Sequence, residues 1–264
     1  MTLSTDPRAR LVEQQKQHFE AISDQYYEGR QSPTHQLFGD LLWSHFLRGK
    51  EWLRRPGLRV LEPMCGFGHG RDVLLRHLGV PIEYQGFDYS EPLIDRAREL
   101  NPDVDFFVQD VTRFEPQSQA DLIVLLGGLH HVPDHAGTVV EKLAPALPKG
   151  GAFISFEPTN NTMFQRWIRE GIYRRNDLFD DETERAFTVP ELNGFFRDNG
   201  FEIRDQLHCG LLAYVLFCNP DCFPALNVGG KKIVRSAFAM DRLFMRTPIG
   251  RLASFATLTL YEKA

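Results

Sequence analysis

The chain has 264 residues, of which 42% are hydrophobic, and its formal net charge is −5 at pH 7. This length and composition suffice for one large core, or for a core with a cap. The basic residues are scattered along the sequence, and proteins held by phosphate backbones carry a concentrated basic face instead. We therefore expect no nucleic acid as partner, and a small, neutral or amphipathic molecule in its place.

The N-terminus lacks an apolar signal region, and the longest apolar run, at 211–218, is too short to span a bilayer. The four cysteines have no framework spacing, and the CNPDC segment at 218–222 does not have the spacing of a usual zinc pair. These features predict buried, reduced thiols, no metal site, no membrane span and a cytoplasmic location.

Two leading helices are predicted within residues 1–54, where apolar residues recur every three or four positions, and we interpret this part as an N-terminal helical cap segment. Short β-rich runs then alternate with segments long enough for crossover helices, which is typical of a parallel sheet covered by helices on both faces. The predicted strands of this cofactor-binding core, residues 55–160, are 58–63, 82–88, 104–110, 120–127 and 151–158.

The later part of the chain has a different pattern. Residues 161–187 form a long insertion, which we interpret as a lid, and residues 188–264 are predicted to complete the core sheet with strands at 201–207 and 254–264. A helical insertion is predicted at about 211–247, where Ile233, Ala237, Met240 and Phe244 share one face of a helix. The prediction is thus an α/β fold with a doubly wound, mostly parallel seven-stranded sheet, an antiparallel last strand at its end, N-terminal helices and a helical cap.

The segment VLEPMCGFGHG at 60–70 joins the first strand to the first crossover helix. Glycines let the chain turn sharply and let a ligand approach the backbone, and amides at the start of a helix add partial positive charge. Asp88 lies 22 residues beyond Gly66 at the end of the second strand, where an acid can accept the ribose hydroxyls of an adenosine. Dinucleotide binders share this layout, but Arg71 replaces their third glycine and Glu62 would repel a pyrophosphate.

With these motifs the chain resembles the class I S-adenosylmethionine-dependent methyltransferases, which have a Rossmann-like fold, over roughly residues 55–160. VLEPMCGFGHG, QGFDYSEPLIDRARE, FFVQDVTRF, ADLIVLLGGLHHVPD and LPKGGAFISFEP match five motifs of that family in order, with Met64 in place of the first glycine. The resemblance implies S-adenosyl-L-methionine as cofactor and a small molecule as methyl acceptor. It implies cofactor contacts from Tyr26 or Tyr27, Glu62, Met64, Gly66, Gly68, Asp88, Tyr89, Asp110, Val111, Leu125 and Leu126.

Methyl transfer to an alcohol or ammonium acceptor also needs a base near the methyl group. The candidates beyond the fourth and fifth strands are His130, His131 and Glu157, although Glu157 could equally cap the loop. Arg169 and Tyr173 in the insertion, with Asn160 just before it, are the predicted acceptor-binding residues if the insertion is a lid. The alternative is an amphipathic helix on the body with its arginines in solvent.

The leading hypothesis is methyl transfer to oxygen, nitrogen or carbon of a small molecule. Three alternatives stay open: cyclisation or lyase chemistry on the same cofactor, nicotinamide-dependent oxidation, and a partner subunit that binds the cofactor without turnover. The apolar segment near 211–226 and the helix after it complete the cap, form a homodimer surface or face a lipid-like acceptor.

Overall fold

The structure is a computed structural model that describes residues 7–174, 176, 183–220, 224, 225, 227 and 229–264. Within the first helix only some side chains are described, and that of Tyr26 lies outside them.

Seven strands form one sheet in the described part of the chain. They are β1 (Leu58–Pro63), β2 (Ile82–Asp88), β3 (Asp105–Val108), β4 (Leu122–Leu126), β5 (Ala152–Pro158), β6 (Phe201–His208) and β7 (Ala256–Lys263). The order across the sheet is β3-β2-β1-β4-β5-β7-β6, with β1 to β5 parallel and β7 antiparallel to both of its neighbours. The predicted fold class, a mostly parallel doubly wound sheet with an antiparallel last strand, is confirmed.

One detail of the predicted sheet is wrong, because the last strand does not lie at the end of the sheet. β7 lies between β5 and β6, and β6 forms the edge. Burial explains this order: six consecutive residues of β7 are buried, whereas the middle of β6 is exposed or half-buried. A mostly polar strand can face solvent at an edge, and an apolar one cannot do so without cost.

The described helices cover both faces of this sheet. They are α1 (Pro7–Arg30), α2 (Pro33–Phe46), α3 (His69–Leu78), α4 (Glu91–Leu100), α5 (Ala136–Leu143), α6 (Met163–Tyr173), α7 (Val189–Arg197), α8 (Leu212–Phe217), α9 (Gly230–Asp241) and α10 (Pro248–Ala253). The sheet separates two buried hydrophobic clusters. Alternate residues of β4 belong to different clusters, Leu122 and Val124 to one and Ile123 and Leu125 to the other. No described helix is long and apolar enough to cross a membrane.

The helix predicted over 231–247 is shorter than expected. α9 ends at Asp241, whose carboxylate accepts hydrogen bonds from Leu212 N and Ala213 N at the start of α8. Its buried residues are Val234, Ala237, Phe238 and Asp241. Of the four residues predicted to share one face of this helix, only Ala237 is buried, because the row containing Val234 and Phe238 packs against the core.

Gly70 in the first turn of α3 lies against the buried carboxylate of Glu62. A Cβ added to Gly70 would lie 2.4 Å from Glu62 Oε2, so we expect Gly70→Ala to destabilise the fold by about 1–3 kcal/mol through overpacking. Gly39 in α2 is the matched control, because a Cβ there meets nothing within 4 Å, and Gly39→Ala should stabilise by about 0.4–1 kcal/mol. Urea unfolding of the two variants measures both values, and equal stabilities would contradict this packing.

Candidate cofactor and acceptor site

The glycine loop after β1 adopts a backbone that suits close approach by a ligand. Gly66 and Gly68 have φ of 50° and 80°, and Met64 has φ of 55°, the only positive value at a non-glycine residue in the described chain. This left-handed conformation explains why glycine stands at the position of Met64 in the family motif. Met64 therefore keeps the loop geometry of the motif at some cost in backbone strain.

Asp88 at the end of β2 binds this loop directly. Its Oδ2 accepts a hydrogen bond of 3.0 Å from Gly66 N, and its Oδ1 accepts one of 3.1 Å from Ser90 N. Each carboxylate oxygen keeps lone pairs for a further donor such as a ribose hydroxyl. Burial raises the pKa of Asp88 above its usual value, while the amides of Ser90 and Gly66 act in the opposite direction.

The surroundings of Glu62 differ from those expected for the cofactor contact that the resemblance implies. The carboxylate is buried and accepts hydrogen bonds from Tyr84 Oη and from Gly70 N. Burial raises the pKa of Glu62 to about 8. Its geometry favours holding the loop to α3 and β2 over direct contact with a ligand.

A small recess opens beside the loop. Four of the predicted cofactor residues line it, namely Met64, Tyr89, Asp110 and Val111, together with Gln109 and Val132, which the sequence analysis missed. Asp110 also caps the turn that follows β3, since its Oδ1 accepts hydrogen bonds from Thr112 N and Thr112 Oγ1.

The other predicted cofactor contacts lie farther from this recess or at its edge. The side chain of Leu125 is wholly buried, so only its backbone can meet a ligand, and the half-buried side chain of Leu126 packs against the cluster of Leu122 and Val124. Tyr27 on α1 contacts the loop, with its ring centroid 5.3 Å from that of Phe67. α1 is thereby placed over the loop, and the predicted role of Tyr26 falls outside the described side chains.

The segment after β4 carries two histidines, each beside a buried carboxylate. Glu157 accepts hydrogen bonds from Gly128 N, Leu129 N and His130 N, and its Oε2 lies 3.0 Å from His130 Nδ1. His131 Nδ1 lies 3.5 Å from Oε1 of Glu184, a residue that the sequence analysis missed. The two imidazole centroids are 3.9 Å apart.

These contacts decide between the two roles expected for Glu157. With no exposed surface and four donors on its two oxygens, Glu157 is placed to shape the loop and orient His130, not to meet an acceptor. Burial raises the pKa of Glu157 to about 7 and lowers that of His130 well below its usual value. A neutral His130 that donates from Nδ1 to Glu157 leaves Nε2 as an acceptor.

The three predicted acceptor-binding residues come together at the inner face of α6. Arg169 Nε donates to Asn160 Oδ1 at 2.9 Å, and its guanidinium also donates to Phe255 O at 2.9 Å and lies 3.5 Å from Tyr173 Oη. The inner face of α6 is therefore polar, and its aromatic residues Phe164 and Trp167 lie in solvent. Neither predicted arrangement of this helix is wholly right, because the aromatics do not line a pocket and one arginine faces inward.

Among the described residues, one group of His and acidic side chains is close enough to hold a metal ion. Ligand atoms of His130, His131 and Glu184 all lie within 4.8 Å of one another. Glu184 belongs to the segment just before α7, which a sequence reading could not place beside the β4 loop without knowledge of the fold.

Comparison with known proteins gives the same assignment for the core. Residues 60–151 match the model of the family described as "Methyltransferase domain". Trans-aconitate 2-methyltransferase from Variovorax paradoxus is 34% identical over 103 residues, which are 39% of this chain and 39% of that protein. This part of the chain is a class I, S-adenosylmethionine-dependent methyltransferase domain.

Solved structures extend the likeness in fold over nearly the whole chain. The cyclopropane synthase MmaA2 from Mycobacterium tuberculosis is 14% identical with a TM-score of 0.65, covering 95% of this chain and 98% of that one. The [4+2]-cyclase SpnF is 16% identical with a TM-score of 0.64, covering 96% of each chain. At such identities the likeness concerns the fold alone.

The methyltransferase domain uses S-adenosylmethionine as its cofactor, and the residues present fit that molecule. A Cβ added to Gly66 would meet nothing within 4 Å, so the space beside this glycine is open. Asp88 keeps acceptor capacity at the same place, and the recess adjoins it at Tyr89. The cofactor supplies a methyl group activated by a positively charged sulfur.

Glu62 predicts a pH dependence of stability with a definite sign. An unfolded glutamate has a pKa of about 4.3, so a folded pKa of about 8 makes the protonated carboxyl stabilising below about pH 4. That contribution is lost as the pH rises through about 8. We expect Glu62→Gln, which is neutral at every pH, to flatten the fall in unfolding free energy between about pH 5 and 8.

Urea unfolding at a series of pH values measures this slope. The flattening should be partial, because the pKa of Glu157 is also raised, to about 7, and acts in the same direction. Glu141→Gln, an exposed glutamate of α5, is the matched control and should leave the slope unchanged. An identical slope in the wild type and Glu62→Gln would contradict the buried, protonated state.

Proposed function

We propose that the chain transfers the methyl group of S-adenosylmethionine to a small-molecule acceptor whose oxygen, nitrogen or carbon must lose a proton. The observation that carries this proposal is the pair of adjacent imidazoles after β4, each beside a buried carboxylate. Val132, the residue after His131, lines the recess, so this pair adjoins the expected position of the cofactor. The matched relatives share only about 39% of their length with this chain, so the family match alone does not define its activity.

His131 is the base in this proposal, and Glu184 supports it. Glu184 is buried, and a carboxylate beside an imidazole stabilises the imidazolium that forms when His131 takes the proton. His130 is oriented by Glu157 and packs against the His131 ring. As the acceptor atom bonds to the methyl carbon, the carbon–sulfur bond breaks and its electron pair stays on sulfur, while the acceptor proton moves to His131.

The rest of the rate acceleration in this proposal comes from positioning the reacting groups. Holding the acceptor, the methyl group and sulfur in line is worth up to about 10 kcal/mol in favourable cases. Asn160, Arg169 and Tyr173 form the polar surface on which the acceptor is held in this proposal. Trans-aconitate, the substrate in the names of the matched relatives, is a carboxylic acid that is already ionised at neutral pH and needs no base. The histidine pair therefore favours an acceptor with a hydroxyl, amine or acidic carbon.

The products of incubation with S-adenosylmethionine test the reaction class. Methyl transfer releases S-adenosylhomocysteine in an amount equal to the methylated acceptor, whereas cyclisation or lyase chemistry releases methylthioadenosine. A panel of hydroxylated, amine-bearing and carboxylic compounds is used as acceptors. Methylthioadenosine as the main product would overturn the proposal.

The proposal includes a cytoplasmic location. Cys65 and Cys209 are free and buried, which is consistent with a reducing compartment.

Asp88 is expected to dominate cofactor affinity. Asp88→Asn keeps the shape and one acceptor oxygen but removes the charge that strengthens hydrogen bonds to ribose hydroxyls, so we expect binding of S-adenosylhomocysteine to weaken by about 10- to 100-fold. Isothermal titration calorimetry measures this change. Asp134→Asn, an exposed aspartate after β4 with the same charge change, should bind as the wild type does. Unchanged affinity of Asp88→Asn would count against the assigned ribose site.

The histidine and carboxylate pairs are expected to affect turnover and not cofactor binding. His131→Ala should lower kcat by about 10²- to 10⁴-fold, the usual worth of a general base, and leave the affinity for S-adenosylhomocysteine within about twofold. Glu184→Gln should cause a smaller loss of kcat, because the base remains. His135→Ala in the same segment is the control. Full activity of His131→Ala would exclude this residue as the base.

A further inference from the structure

The segment 230–253, which comprises α9, the turn after it and α10, exposes many apolar side chains. Their exposed fractions run from 39% to 71%, and the residues are Ile233, Met240, Leu243, Phe244, Ile249 and Leu252. Single exposed apolar residues are ordinary, but a concentration of this kind marks a surface that meets another apolar phase or partner. We call this segment the C-terminal helical face.

The same face is strongly basic, although basic residues are scattered over the sequence as a whole. Its 24 residues include six basic residues and a single acidic one, whereas the whole chain has a net charge of −5. The basic residues are all exposed, and they are Lys231, Lys232, Arg235, Arg242, Arg246 and Arg251. Asp241, the acidic residue, is buried and binds the amides that begin α8.

The positive charges of the face are largely unneutralised by the described residues. Arg246 forms an ion pair with Asp205 on β6. No ion pair joins any of the other five to a carboxylate in the described ranges. Exposed positive charge between exposed apolar side chains is the composition of helices that lie in the interface of an anionic bilayer.

The outer side of α6 continues the face. Asn161 Nδ2 donates to Arg251 O at 2.8 Å, and Gln165 Nε2 donates to Ser254 O at 2.9 Å, so the start of α6 lies against the end of α10. Met163, Phe164 and Trp167 on α6 are 87%, 66% and 68% exposed. Tryptophan and phenylalanine are the residues that anchor such helices at the headgroup level.

Charge also distinguishes between two possible partners of this face, a second copy of the chain and an anionic bilayer. A second copy bound through the same face would bring two sets of six basic residues together, with no exposed acid in the segment to compensate, and like charges across an interface are costly. An anionic bilayer attracts each basic residue, while the rest of this net acidic chain is repelled from it. The charge distribution therefore orients the protein with this face toward the bilayer.

We propose that the C-terminal helical face, extended by the outer side of α6, docks on the surface of a bilayer that contains anionic lipids. The docking is peripheral, with apolar side chains entering the headgroup boundary and lysine and arginine contacting the lipid phosphates. The inner side of α6 carries the polar residues proposed to hold the acceptor, so the bilayer and the acceptor site lie on opposite sides of one helix.

Flotation with vesicles tests the proposal on the full chain, independently of methyl transfer. We expect binding to vesicles of equal phosphatidylcholine and phosphatidylglycerol, none to phosphatidylcholine alone, and loss of binding at about 1 M salt, where the screening length is about 3 Å. The double variant Lys231→Gln, Lys232→Gln should bind about thirtyfold more weakly, from the usual worth of a basic residue near an anionic surface. Leu243→Ser and Trp167→Ser should each weaken binding about tenfold or more.

The control is the double variant Lys149→Gln, Arg197→Gln, which makes the same change of net charge at exposed residues of the body. It should bind as the wild type does, and circular dichroism should show that all variants are folded. No binding to anionic vesicles at low salt, or equal loss in the control and the lysine variant, would overturn the proposal. A dimer in sedimentation that Leu243→Ser dissociates would assign the face to a second copy and overturn it as well.

Discussion

Buried carboxylates at the ends of the central strands hold the site loops in place. Glu62 ends β1 and binds the first turn of α3, Asp88 ends β2 and binds Gly66 N, and Glu157 near the end of β5 binds three amides after β4. An unpaired amide in such a loop would cost about 1–3 kcal/mol if buried, so each contact limits the conformations open to its loop. The candidate site depends on these three contacts.

Burial of these carboxylates gives them unusual pKa values. Burial raises the pKa of Glu62, Asp88 and Glu157, and the amides that they bind act against that rise. A carboxyl group that can hold a proton near neutral pH can bind loop amides while buried, and it can ionise when a cation binds nearby. A positively charged ligand arriving nearby would favour ionisation, and its binding would then be coupled to proton release.

Much of the fold could be predicted because a strand is recognised from the residues within it and directly beside it. The bounds of β1 and β2 agree with the sequence patterns, since each is a short β-rich run that ends in a residue disfavoured in strands, Pro63 in one case and Asp88 in the other. The place of β7 could not be predicted, because it depends on which of two late strands better tolerates an edge. Glu184 was missed for a related reason: its contact with His131 joins segments more than fifty residues apart and follows no spacing rule.

The inward face of α9 could not be predicted from the sequence, because two rows of apolar residues run along the helix. Hydrophobic spacing identifies an apolar row but cannot say which of two rows meets the core. The core takes Val234, Ala237 and Phe238, and the row with Ile233 and Met240 remains outside. The fold therefore leaves the apolar surface of that second row unburied.

The two sides of α6 combine these features. Gln165 and Arg169 on its inner side donate to Ser254 O and Phe255 O, which fixes the helix to the segment just before β7 and leaves Phe164 and Trp167 in solvent. A helix held by polar contacts to the body has its apolar side directed away from it, the reverse of an ordinary surface helix. Such an arrangement of polar and apolar sides is favourable when the outer side of α6 contacts an apolar phase. In this position one rigid helix contacts the bilayer with its outer side and the proposed acceptor site with its inner side. The depth of the helix in the bilayer therefore sets the distance between the bilayer and the acceptor site.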